Sequence, residues 1–168
     1  KQIELDRRMI GIRIKQLKEK LRKLDKQRGM QRRARKRSNV LSISIVGYTN
    51  AGKSTLFNYL THEKILAENK LFATLDTTSR KLFLEEGHSV VVSDTVGFIK
   101  SLPTTLIEAF KSTLEEATDS DLLIHVVDIS NTNKAEQIIQ VDKILKEIKA
   151  HEIPQLLVLN QIDKIDIK

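Results

Sequence analysis

Gly47-Tyr48-Thr49-Asn50-Ala51-Gly52-Lys53-Ser54 is the stretch on which the fold turns. It fits G-x-x-x-x-G-K-[ST], the spacing of a backbone loop that cradles phosphate groups. The residues before it, Leu41-Ser42-Ile43-Ser44-Ile45-Val46, predict a buried strand, and those from Ser54 to Thr61 predict a helix. Strand, glycine loop and helix N-terminus together make an anion seat, because a run of peptide N–H groups and the positive helix end converge on one point. Gly47 through Thr55 are therefore the expected phosphate-binding residues. Lys53 is expected to reach the β- and γ-phosphates, and the Ser54 hydroxyl to ligate Mg²⁺.

Downstream, His62 to Ser79 is polar and rich in Thr, with Phe72-Ala73-Thr74-Leu75-Asp76-Thr77-Thr78 at its centre, and reads as a loop. Arg80–Glu85, the turn Glu86-Gly87 and His88–Asp94 predict a strand hairpin. Its second strand contains the apolar run Val90-Val91-Val92, as in a sheet covered on both faces. That strand ends in Asp94-Thr95-Val96-Gly97, D-x-x-G. There a carboxylate can hold Mg²⁺ through water and Gly97 can offer its N–H to a γ-phosphate. Pro103 starts a predicted helix with Leu106, Ile107, Phe110 and Leu114 on its buried side. Leu122–Asp128 reads as another buried strand, whose His125 is a packed histidine rather than a metal ligand, since no partner stands at metal spacing.

A long amphipathic helix is expected over Asn133–Ala150, and Leu156-Leu157-Val158-Leu159 forms the next strand. It runs into Asn160-Gln161-Ile162-Asp163. A carboxylate at Asp163 can accept from both N1–H and the 2-amino group of guanine, donors that adenine lacks. A buried acceptor left unpaired makes that difference worth roughly 10²- to 10⁴-fold. Asn160 would brace the loop. D-x-x-G and N-x-x-D are weak alone, but following the phosphate loop in this order, each at a strand's C-terminal end, they select guanine nucleotides.

Charge divides the chain. The net +7 hides residues 1–39, with 16 Lys/Arg against 4 Asp/Glu (+12), and residues 40–168, with 13 against 18 (−5). We read 1–39 as a basic helical segment with a linker, and 40–168 as the nucleotide domain. Ile3, Ile10, Ile14, Leu17, Leu21 and Leu24 form one stripe at coiled-coil spacing, weakened locally by Gly11. So narrow a stripe calls for a partner, either a further helix or the acidic domain downstream. The run from Arg28 to Arg37 suits phosphate backbones read without sequence preference, or a solvated linker. With no Cys, disulfides and thiolate metal sites are excluded, in keeping with a reducing, cytoplasmic compartment. No apolar run approaches the ~18 residues of a membrane span. The chain begins with Lys1, as expected of a piece of a longer protein.

The motifs resemble the P-loop GTPases, and more closely the ribosome-associated HflX family of the Obg group. The resemblance rests on V-G-Y-T-N-A-G-K-S-T-L-F-N at 46–58, L-F-A-T-L-D at 71–76, D-T-V-G-F-I at 94–99 and A-H-E-I-P at 150–154, together with the Arg-rich helix ahead of them. It implies an α/β fold of three layers, Ras-like, with a mostly parallel sheet preceded by the basic coiled-coil-like helix, and with the family's last strand and helix missing, so that an edge strand is exposed. It also implies GTP hydrolysis coupled to the large ribosomal subunit and its RNA, in the rescue or splitting of stalled ribosomes.

By the same resemblance Phe72, Ala73, Thr74, Leu75 and Asp76 form a nucleotide-responsive switch, with Thr74 a Mg²⁺ ligand and Thr77 and Thr78 its nearest rivals. Lys53, Thr74 and Gly97 carry the hydrolysis. Asn50 matches a K⁺-binding asparagine, or else simply a turn residue that tolerates the left-handed conformation. Phe98 stands where related GTPases place a water-orienting glutamine, which implies slow intrinsic hydrolysis. Gln161 departs from the usual N-K-x-D, which implies weaker nucleotide binding. Two other readings share these motifs: the GTPase module of a tRNA-modifying enzyme, and a nucleotide-regulated scaffold working through the helical stripe.

Overall fold

In this computed structural model, residues 2–37, 40–62, 78–84, 88–99 and 111–165 are described. Contacts divide the chain into Lys1–Asn39 and Val40–Lys168. The first unit is one helix, α1 (Gln2–Arg37). It continues through Gly11 and through the basic run up to Arg37. The reason is local: Arg, Lys, Gln, Met and Ala all propagate a helix well, and one exposed glycine costs only about 1 kcal/mol. Of the stripe, Ile10, Ile14 and Leu17 are exposed, as are Met9 and Ile12.

The second unit is built on β1 (Leu41–Gly47), β2 (Thr78–Phe83), β3 (Ser89–Asp94), β4 (Leu122–Asp128) and β5 (Gln155–Asn160), in the spatial order β2-β3-β1-β4-β5. All neighbours are parallel except β2 with β3. β1 is central, with Ile45 beside Asp94 of β3 and Gly47 beside Val126 of β4. The C-terminal ends of the four parallel strands thus lie along one edge, where ligands of such sheets are held.

Strand alternation puts successive β1 residues on opposite faces. Ile45 joins Val90, Val92, Val126 and Phe57 of α2 (Lys53–Thr61) on one side. Val46 joins Leu123, Leu114 and Ala117 of α3 (Lys111–Thr118), and Val141, Ile144 and Leu145 of α4 (Lys134–Glu147), on the other. These are the three layers. The helix expected from Pro103 is described from Lys111, so its start lies outside the described residues.

The hairpin strands differ in extent from the expected ones, because Ser79 and Thr78 extend the pairing to Ser93 and Asp94. Here the two serine hydroxyls lie 2.8 Å apart. Ser44 continues this row on β1 and bonds Ser120 Oγ at 2.6 Å. The sheet therefore meets α3 partly through hydroxyls, a feature that apolar periodicity cannot report. β5 is an edge strand, as expected, with Leu156, Leu157 and Leu159 exposed.

These burials separate two leucine truncations in urea denaturation. Leu123→Ala, at a fully buried position, should lower stability by about 2–5 kcal/mol. Leu156→Ala, on the exposed strand, should cost less than about 1 kcal/mol.

Candidate functional site

β1 delivers Gly47 to the ligand edge of the sheet, and the chain then loops into α2. The loop is pinned from the D-x-x-G side: Thr49 N–H donates to Phe98 O at 2.7 Å and Phe98 N–H to Gly47 O at 3.1 Å. Thr95 Oγ1 donates to Ile45 O at 2.6 Å and fixes the tip of β3 against β1. Gly97 packs so close to Thr49 that a Cβ there would lie 2.8 Å from Thr49 Cα and 3.0 Å from Lys53 Nζ. The phosphate loop and the D-x-x-G segment thus form one backbone unit.

Opposite, the N-Q-I-D loop holds the same strand of chain. Asn160 Nδ2 donates to Ala51 O at 2.8 Å and Gln161 Nε2 to Asn50 O at 3.3 Å. Because a trans peptide sets its C=O and N–H on opposite sides, tying Ala51 O back turns the Gly52 N–H the other way. Gly52 has φ 93°, and a Cβ on it would overlap the Asn160 amide. Only glycine fits both the angle and the neighbour. Gly52 also caps α2, whose first turn, Lys53-Ser54-Thr55-Leu56, carries no acidic side chain. Leu56 N–H closes that turn on Gly52 O at 2.9 Å, and the positive end of the helix faces the loop.

Lys53 is buried and folds back, donating to Tyr48 O at 2.9 Å. Burial lowers its pKa to about 8, against the opposing pull of the Asp94 carboxylate. A buried ammonium beside the positive end of a helix is a site suited to negative charge. Ser54 Oγ donates to Asp94 Oδ2 at 2.7 Å, with Asp94 itself buried. A hydroxyl and a carboxylate so close are hard oxygen donors of the kind Mg²⁺ takes. That ion is typically held by one or two protein oxygens together with substrate phosphates. Among the described residues no cluster of three or more His, Cys, Asp or Glu could cage a metal without such help.

Tyr48, Thr49, Asn50, Ala51, Thr95 and Val96 are thus brought together with Gly47, Gly52, Lys53, Ser54, Asp94 and Gly97. Thr55 is exposed on α2, and Ile162 and Asp163 are exposed on the 3-10 turn Ile162–Lys164 beyond β5. Phe72, Ala73, Thr74, Leu75, Asp76 and Thr77 lie outside the described residues, while their rival Thr78 pairs with Asp94 in the sheet. Asn50 takes the left-handed conformation, φ 63°, the turn role the sequence left open for it.

Phe98 is buried with Val46, Val96 and Leu114, so its ring packs in the core while its backbone bonds the loop. His125 is buried on β4. Its pKa is lowered, chiefly by burial, with Asp142 opposing and Lys53 adding to the shift. Lys164, passed over in the sequence, donates to Gln161 Oε1 at 2.5 Å. Its place three residues after Gln161 in a turn was the available signal.

Residues 42–161 match the family described as 50S ribosome-binding GTPase. GTPase HflX of Caldanaerobacter subterraneus subsp. tengcongensis is 52% identical over 165 residues, 98% of this chain and 39% of that protein. GTPase HflX of Escherichia coli (strain K12) is 47% identical, again over 98% of this chain and 39% of the relative. The chain therefore spans about two-fifths of the curated relatives it matches. Among solved structures, a GTP-binding protein from the hyperthermophilic archaeon Sulfolobus solfataricus in complex with GDP superposes with TM-score 0.61 at 33% identity. That match covers 83% of this chain and 42% of the other.

The burial of Lys53 makes a two-sided prediction. Lys53→Met should stabilise the nucleotide-free protein by on the order of 2 kcal/mol, by removing a desolvated cation, and should abolish phosphate binding. In the unfolded chain the amine titrates near 10.5, and in the folded chain at about 8. Between these values the unfolded state holds the extra proton, so the parent gains stability as pH rises. The advantage of Lys53→Met in thermal unfolding should therefore be full below pH 8 and shrink towards pH 10.

Proposed function

The chain belongs to the 50S ribosome-binding GTPase family, on its HflX branch, and from this we propose that it is the nucleotide switch of a cytoplasmic GTPase acting on the large ribosomal subunit. The observation that carries this reading is the seating of the N-Q-I-D loop on the phosphate loop, Asn160 on Ala51 O at 2.8 Å. Base selection and phosphate binding share one backbone there, so guanine recognition bears on the geometry of the phosphate seat.

The chemistry follows from the residues. GTP enters with its phosphates against the loop and the start of α2. Lys53 gives up Tyr48 O for the β- and γ-phosphates, which favour its charged form. Ser54 and Thr74, and Asp94 through water, are the residues that would hold Mg²⁺, which would supply charge neutralisation at the phosphates. Gly97 offers its N–H to the γ-phosphate. Asp163 accepts from guanine. Asn50 is the candidate for a K⁺ beside the phosphates; its left-handed turn is an equally good reason for its presence.

Orientation of the attacking water falls to a group outside this chain. The only side chain at the glutamine position is Phe98, and it is buried in the core. Intrinsic hydrolysis is therefore slow, and the ribosome is the natural source of the completing group. Loss of the γ-phosphate releases residues 72–76 and 94–97. The +12 helix supplies a strongly basic element suited to ribosomal RNA. The cellular task this fits is the rescue or splitting of stalled ribosomes. Among the described residues no helix is long and apolar enough to cross a membrane.

Two measurements test this reading. Asp163→Asn should lower the preference for GDP over ADP by roughly 10²-fold in competition binding. The full-length protein should co-sediment with purified large subunits more strongly with a non-hydrolysable GTP analogue than with GDP. Co-sedimentation indifferent to nucleotide contradicts the ribosomal role.

A further inference from the structure

Gln161 breaks the family pattern at the position where a lysine is usual, yet its contact is not lost. Gln161 is in the left-handed region, φ 62°, and caps the 3-10 turn Ile162–Lys164. That conformation sends the side chain back to the phosphate loop, where Nε2 donates to Asn50 O at 3.3 Å. The other end of the same amide, Oε1, accepts from Lys164 Nζ at 2.5 Å. Residues three apart in a 3-10 turn stand one above the other, so Lys164 is delivered to Gln161 by the turn itself.

We propose that Gln161 and Lys164 form a two-residue strut, in which Lys164 supplies through the Gln161 amide the positive charge that a lysine at 161 would bring directly. An ammonium on the amide oxygen polarises the group and strengthens Nε2 as a donor. The acceptor, Asn50 O, belongs to the residue at φ 63° that turns the phosphate loop. With Asn160 on Ala51 O, the strut ties back two consecutive carbonyls of the phosphate loop. Both residues are positioning residues. Their effect is to keep the base loop closed on the phosphate loop, and so to slow nucleotide release. The proposal deepens the guanine-nucleotide reading and rests on it.

The test is stopped-flow release of fluorescent GDP from the full-length protein. Lys164→Ala should speed release about 3- to 10-fold, the worth of one charge-supported hydrogen bond, with the thermal midpoint of the nucleotide-free protein unchanged. Gln161→Ala should have a similar effect, and adding Lys164→Ala to it should change nothing more. Gln161→Lys should restore slow release even when combined with Lys164→Ala, since the ammonium then reaches Asn50 O unaided. Parental release rates in Lys164→Ala, or an equal acceleration by Lys164→Ala in the Gln161→Ala and Gln161→Lys backgrounds, overturn the strut while leaving the guanine site standing. Failure of the parent protein to bind GDP at all overturns both.

Discussion

The backbone of Gly47 to Lys53 has to be held in one conformation between β1 and α2, and the rest of the site is arranged around it. Alone, such a loop would collapse onto its own carbonyls. It is held instead from two sides, by Phe98 and Thr49 sharing backbone bonds on the D-x-x-G side and by Asn160 and Gln161 on the base side. The central position of β1 makes this double hold available: β3 ends beside Ile45, and β4 runs on past Gly47 on the other side. β5 brings Asn160 in from one strand further out, opposite Asp128 of β4.

The same hold places the charges of the site. Lys53 is buried with its ammonium donating to Tyr48 O, and Ser54 donates to the buried Asp94 carboxylate. Desolvation disfavours the charged form of Lys53, while Asp94 favours it.

Much of this was legible in the sequence, and for identifiable reasons. Val90-Val91-Val92 and Leu122–Val127 are apolar runs that only a sheet covered on both faces accommodates, and each ends in a polar motif at the ligand edge. The three motifs therefore located themselves. What escaped notice was set by tertiary contact or by local conformation. The serines at 44, 79 and 93 look like surface residues in a strand pattern, yet Ser79 and Ser93 pair with each other and Ser44 donates to Glu116 O of α3. Phe98 could be read as out of place for hydrolysis, but not as a core residue. The basic run to Arg37 suggested a linker because its apolar stripe had stopped, whereas helix propensity continued. Lys164 has no role in any motif and acquires one only through the turn that Gln161 caps.

The two halves of the chain differ in charge and in build: a long basic helix with Ile10, Ile14 and Leu17 exposed, and an acidic domain in which Lys53 is buried beside Asp94. The central claim is that guanine and triphosphate are recognised on one shared backbone. Calorimetric titration of the full-length protein with GDP and with ADP, each with Mg²⁺, tests it most directly. The account predicts saturable GDP binding and ADP binding at least about 100-fold weaker; equal affinity for the two nucleotides would contradict it.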